Sequence, residues 1–341
     1  MKPLADQGEP GMSLSEWTFT DLYLSASVRY MAGVPGSPTP IAVPGALADE
    51  AEALYRHCVY HHQSLSAEVD EFTLGHQRQR YRVSKLVSIN NAVYVLRRLP
   101  SETPRLRSLG ISHRLIEPVL RAEATGLVLV AGGFGEGKTS TASALVSERL
   151  HRNGGVAVTL EDPPEMPLEG GHGDGVCFQT WVTREKGGFA EQLRRVARWA
   201  PTLIFLGEIR DPATAGEALK AATNGRLVLA TIHAAGVVSA IERLHALASG
   251  PGGQPSSNGG DLAQILGSGV TAVFHQHLHR QGEARYRPPQ IRFLHTEDPT
   301  EARTVQTHIA SRHFERLGDV MRRQRERMRR YRQDAAPQGG S

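Results

Sequence analysis

The sequence predicts an α/β chain built on a parallel sheet wrapped by helices, with a smaller α+β domain before it. Three observations carry this expectation. Four short apolar runs, Gly126–Ala131, Val156–Leu160, Leu203–Leu206 and Leu227–Ile232, have the branched, non-alternating composition of strands buried on both faces. Segments of helical spacing lie between and beyond them, at about 138–151, 189–199, 212–223 and 237–248. Each run ends on glycines, acids or a histidine, the residues expected where α/β sheets bind ligands, outside the carboxyl ends of their strands.

From the start of the chain, residues 1–16 are polar with Gly and Pro and are expected to be a flexible N-terminus. Residues 17–100 form the α+β domain. Asp21–Val28 alternates like a strand, Gly33–Pro44 is turn, and Leu47–Ser64 is apolar at helical spacing. Phe72–Leu74, Arg80–Val83 and Ala92–Leu96 complete its sheet, and 101–110 is the linker. Residues 111–311 form the α/β domain, whose last strand is Gln290–Leu294. Within it, Gly250–Gly260 has loop composition. A basic helix follows at 312–333, then a disordered tail at 334–341.

The segment Gly132-Gly133-Phe134-Gly135-Glu136-Gly137-Lys138-Thr139 is a complete GxxxxGK(S/T) phosphate loop, followed by Ser140 at the start of a helix. Its glycines let backbone N–H groups turn around phosphate oxygens at a helix N-terminus. Lys138 is the residue to reach the β- and γ-phosphates of ATP, and the Thr139 hydroxyl the one to ligate Mg²⁺. Glu136 must face outward, because a carboxylate turned toward phosphates is repelled. Two acidic sites follow at strand ends, Glu161-Asp162 and Glu208. Phosphoryl transfer to water needs a carboxylate to orient or deprotonate the nucleophile. Glu208 takes that role here, with Glu161 near the metal or water shell. His233, at the end of the fourth run, either senses the γ-phosphate, holds an acid in place or is structural.

In this order, the loop AGGFGEGKTS and the boxes LEDPPE, LGEIRD and TIHA resemble those of the type II/type IV secretion ATPases, PilT-like branch. That family carries TGxxGSGKST, IEDPIE, VGExRD and TLHT. Upstream, Tyr81-Arg82-Val83 and Tyr94–Ser101 resemble its FRV and FRTIPS segments. The likeness covers about residues 20–320. It implies a RecA-like P-loop NTPase domain after a small PAS-like α+β domain. It also implies a homohexameric ATPase, cytoplasmic and peripheral to the inner membrane. Such a ring would power a type IV secretion, conjugation or type IV pilus apparatus with inner-membrane components as partners. Arg97 and Arg82 match motif-borne arginines that would stabilise transition-state charge, with Arg98 as an alternate; Arg194 and Arg198 also match family positions. The sequence departs from the family in Glu136, where serine is usual, and in Thr202, where aspartate is common. Ala234-Ala235-Gly236 after the histidine box is closer to the type IVB (Dot/Icm and conjugation-type) ATPases. With only Cys58 and Cys177 there is no four-cysteine zinc module.

A length of 341 residues fits two domains, and two cysteines give no disulfide framework. The opening residues lack the apolar core of a signal peptide, and no apolar stretch is long enough to span a bilayer. The net charge of +4 is concentrated: residues 312–332 hold nine arginines against three acids, a local +6, leaving the rest at −2. No general nucleic-acid footprint results, so direct nucleic-acid binding is not expected. The basic helix also carries an apolar stripe, Phe314, Leu317, Val320, Met321 and Met328. It either packs on its own domain or makes peripheral contact with anionic lipid or a partner. Two rival functions share the phosphate loop: a P-loop nucleic-acid motor, and a regulator that binds ATP without hydrolysing it.

Overall fold

The computed structural model describes residues 13–334, except 66–68, 90, 184–185, 252–261, 279, 282–284, 287 and 297–298. The expected flexible N-terminus falls outside these residues up to 12, the glycine-rich loop from 252, and the tail from 335. The chain divides into two compact units. One is Met1–Glu102 with Pro163–Pro167; the other is Thr103–Asp162 with Leu168–Ser341.

Among the described residues, the first unit is one antiparallel sheet and one α-helix. Its elements are β1 (Asp21–Leu24), β2 (Arg29–Ala32), β3 (Ile41–Ala42), α1 (Ala48–Gln63), β4 (Glu71–His76), β5 (Gln79–Val87) and β6 (Ala92–Arg98), with strand order β3-β2-β1-β6-β5-β4. Alternation sets one face of this sheet inward: Leu22, Leu24, Phe72, Leu74, Tyr81, Val83 and Leu96 are buried, and α1 covers them with Ala51, Leu54 and Cys58. The strand expected over Asp21–Val28 is instead a hairpin. The Ser25 hydroxyl accepts from the Val28 N–H at 2.9 Å, and this local bond turns the chain before the alternation can continue. Pro163–Pro167, which the sequence placed in the α/β domain, clusters with this unit. Thr73 Oγ1 donates to the Pro164 carbonyl at 3.3 Å, and Arg82 pairs with Glu165.

The second unit begins with α2 (His113–Leu120), β7 (Gly126–Gly132), α3 (Lys138–Asn153), β8 (Gly155–Glu161), β9 (Gly170–His172), β10 (Gly175–Trp181), α4 (Gly188–Arg198) and β11 (Leu203–Leu206). It continues with α5 (Pro212–Thr223), β12 (Leu227–His233), α6 (Val237–Ala248), α7 (Leu262–Gly269) and β13 (Val270–His277). A small hairpin, β14 (Arg280–Gln281) and β15 (Arg285–Tyr286), then leads to β16 (Gln290–His295), α8 (Pro299–Ala310) and α9 (Leu317–Asp334). The sheet order is β16-β13-β7-β12-β11-β8-β10-β9. Its six inner strands are parallel, with an antiparallel strand at each edge.

The inner strands have two cores because both faces are covered. Leu127, Leu129, Val158, Ile204, Leu206 and Val228 face one core; Val128, Val130, Ala157, Phe205 and Leu229 face the other. Helix α5 starts where Asp211 accepts from the Thr214 N–H at 2.8 Å, with Pro212 at its first turn. The basic helix α9 is part of this unit's core. Leu317 and Val320 are fully buried, and Gln324 accepts from the His295 N–H and donates to its carbonyl at 2.7 Å, satisfying the edge strand β16. The apolar stripe is therefore used internally, and its arginines lie outside it. Among the described residues, no helix is long and apolar enough to cross a membrane.

Candidate functional site

The register of the parallel strands brings the motifs to one end of the sheet. Gly132 pairs with His233 across β7 and β12, and Leu206 pairs with both Leu160 and Ala230. The phosphate loop, Glu161, Glu208 and His233 follow from these strand ends. This is the sheet end at which α/β folds bind ligands.

Within the loop, Gly135 and Gly137 take φ of 70° and 76°, a left-handed backbone open to glycine. Phe134 is exposed at 86%, whereas Lys138 is buried on the first turn of α3. Its Nζ folds back over the loop to the Gly133 carbonyl at 2.7 Å. Thr139 and Ser140 are half-buried beside it. The Glu136 carboxylate is engaged at the end of β13: it accepts from the Leu278 N–H and from His277 Nδ1 at 3.0 Å.

Both oxygens of Glu208 are engaged. Oε1 lies 3.3 Å from His233 Nε2, and Oε2 takes the Arg210 guanidinium at 2.7 Å. The carboxylate is thereby fixed with only 13% of its side chain exposed. His233 is also stacked on Phe134, rings 5.9 Å apart and inclined by 12°. Burial pushes the His233 imidazole below its ordinary value; Lys138, Arg210 and Arg243 act the same way, and Glu208 opposes them. At neutral pH the ring is therefore uncharged. Glu161 is 2% exposed, and its Oε1 accepts from Thr159 Oγ1 at 2.7 Å and Gln179 Nε2 at 2.8 Å.

Of the arginines expected from family likeness, Arg97, Arg82 and Arg98 lie in the first unit, and Arg194 and Arg198 lie on α4 of the second. Arg97 pairs with Asp21 at 2.9 Å and is 62% exposed. Arg82 is held by Glu71 at 2.8 Å and Glu165 at 3.1 Å. Arg98 donates to Gln79 and to the Trp17 carbonyl and lies over Phe19. Arg194 pairs with Glu191 and Glu217. Sequence reasoning gave no role to Arg210, although it stands inside a quoted motif. It also missed Gln179, because β10 was not foreseen. The run Gly175–Trp181, with Val, Phe, Thr and Trp after a glycine turn, was the available strand signal.

Residues 70–332 match the type II/IV secretion system protein family. The chain is 38% identical over 170 residues to the protein YggR of Escherichia coli (strain K12), covering 49% of this chain and 50% of that one. It is 37% identical over 199 residues to type II secretion system protein E of Pseudomonas aeruginosa PAO1, covering 57% and 38%. The chain thus spans half or less of these relatives' lengths. Among solved structures, the pilus retraction motor PilT with bound ADP is similar in fold, with a TM-score of 0.71 at 23% identity over 90% of this chain and 86% of that one. Motif order, strand-end geometry and the match over 70–332 lead to one assignment: the chain belongs to the type II/IV secretion system protein family.

Proposed function

We propose that this chain hydrolyses ATP to ADP and phosphate as a magnesium-dependent, RecA-like P-loop ATPase, with the first unit as its PAS-like domain. The observation that carries this reading is the meeting of a complete phosphate loop with a carboxylate fixed by His233 and Arg210 at one sheet end. Loop N–H groups and Lys138 bind the β- and γ-phosphates. Glu208 orients a water in line with the γ-phosphorus and takes its proton. Neutral His233, steadied by Phe134, donates to Glu208 Oε1, and Arg210 holds Oε2, so the carboxylate keeps its orientation. Glu161, held by Thr159 and Gln179, completes the acidic side of the site.

The donor set suits Mg²⁺: the Thr139 hydroxyl is a hard oxygen ligand, and the Glu161 carboxylate is a hard oxygen for the metal or its water shell. Among the described residues, no three His, Cys, Asp or Glu side chains form a metal cage. A magnesium ion carried on a nucleotide needs none, since it keeps several waters and takes few protein oxygens. When bound, it would neutralise charge on the β- and γ-phosphate oxygens.

The family context supports a homohexamer on the cytoplasmic side of the inner membrane, working on membrane components of a type IV secretion, conjugation or type IV pilus apparatus. In such a ring Arg97 is the better transition-state arginine, being exposed and paired with Asp21, where Arg82 is held by Glu71 and Glu165. The outward arginines of α9, Arg325, Arg329 and Arg330, suit peripheral contact with an anionic surface, weakened by salt. Phosphate release from ATP by the purified chain, with Lys138→Ala as control, tests the activity. Turnover equal in both proteins would refute the site.

A further inference from the structure

Glu136 is the loop's departure from its family, and the structure gives it work to do. The carboxylate is held at the end of β13, by the Leu278 N–H and by His277 Nδ1 at 3.0 Å. The next contact is on the backbone: the Glu136 carbonyl accepts from Gln276 Nε2. Gln276 is 2% exposed, so its amide is fixed by packing. A trans peptide points its C=O and N–H in opposite directions. Holding the Glu136 carbonyl against β13 therefore turns the Gly137 N–H away from β13, into the loop.

The approach is close on this side. A Cβ at Gly132 would stand 2.8 Å from the Gln276 carbonyl, and one at Gly137 would stand 3.1 Å from Gln276 Nε2. The support is also rigid, because β13 is hydrogen-bonded to β7, the strand that delivers the loop; His275 pairs with Ala131. From these contacts we infer that Glu136 and the strand end Gln276–Leu278 brace the phosphate loop from behind, setting its N–H groups toward the phosphates before nucleotide arrives. Glu136 and Gln276 are positioning residues for nucleotide binding. This deepens the ATPase reading and rests on it.

The test is equilibrium titration with the fluorescent analogue mant-ADP in magnesium chloride, with each variant's thermal unfolding recorded alongside. Wild type binds and Lys138→Ala does not, if the ATPase reading holds; binding by neither protein refutes that reading itself. Given wild-type binding, Glu136→Ala weakens affinity by about tenfold or more, the size of a lost hydrogen bond to a charged group. Glu136→Gln stays within about threefold of wild type, because its amide oxygen still accepts from the Leu278 N–H. His277 is 52% exposed in its side chain, so His277→Ala leaves the fold intact. It costs about threefold in the wild-type background and nothing beside Glu136→Ala, as expected for residues in one network. A folded Glu136→Ala with wild-type affinity, or additive effects of Glu136→Ala and His277→Ala, would overturn the brace.

Discussion

The two units treat charge differently. In the second, the charged side chains of the site come from the ends of neighbouring parallel strands, and local contacts aim them: Lys138 over its own loop, Glu208 between His233 and Arg210. In the first, the arginines stand on antiparallel strands and are closed on carboxylates of the same unit, Arg97 on Asp21 and Arg82 on Glu71 and Glu165. A parallel sheet gathers strand ends, so short motifs far apart in sequence become one site. An antiparallel sheet disperses them, and its cations can serve chemistry only by exchanging partners. The second unit thus carries charged groups already aimed by their neighbours, and the first carries arginines held by carboxylates of its own.

Several variants would break or sharpen this contrast. The largest effect belongs to Lys138→Ala, which should remove both ATP binding and turnover. Retained binding with turnover would mean that the loop is not the phosphate site. Next is Arg97→Ala, expected to lower turnover by about 10³-fold, as for an arginine finger, with a smaller change in affinity. If turnover instead falls less than a few-fold, Arg97 is only the partner of Asp21, an exposed ion pair of about 0–1 kcal/mol.

The pH profile is subtler. His233 has a pKa below the ordinary histidine value of 6.5, so it is neutral at pH 7 and gains a proton only as pH falls further. Protonated, it would ion-pair with Glu208 and quench the base. Turnover should therefore fall along an acid limb with its midpoint below 6.5, and His233→Asn should shift or remove that limb while lowering the plateau about tenfold. An unchanged profile in His233→Asn would exclude the contact with Glu208 from catalysis.

The smallest effect on chemistry comes from α9. Leu317→Ala should cost about 2–5 kcal/mol of stability, read by chemical denaturation, while folded protein keeps its turnover. A chain ending at Thr307 should lose the cooperative fold, since it uncovers both the Leu317 and Val320 packing and the β16 edge. A soluble, fully folded truncation would show that the fold does not need α9 and would favour its contact with anionic lipid or a partner.

Much of the second unit was legible because its strands are buried on both faces. Apolar runs such as Leu203–Leu206 and Leu227–Ile232 read as buried strands beside a phosphate loop. Four helices fall within a residue or two of expectation, α5 among them, fixed by the Asp211 cap and Pro212. What was not legible depends on contacts remote in sequence. β10 presents Gln179 to Glu161 only because it pairs with β8, and the Ser25 turn splits a strand whose alternation looked continuous. The brace on Glu136 comes from a strand 140 residues away, so no motif announces it. The use of the apolar stripe on α9 was left open by composition, which cannot say whether such a stripe faces its own core or a partner.

The site is tested most directly by Glu208→Gln, measured for mant-ATP affinity and for steady-state phosphate release on the same preparation. The substitution is nearly isosteric and removes the base alone. Affinity should stay within about threefold while turnover falls by about 10²-fold or more. Wild-type turnover, or equal losses of binding and turnover, would contradict the assignment of Glu208 as the group that activates water.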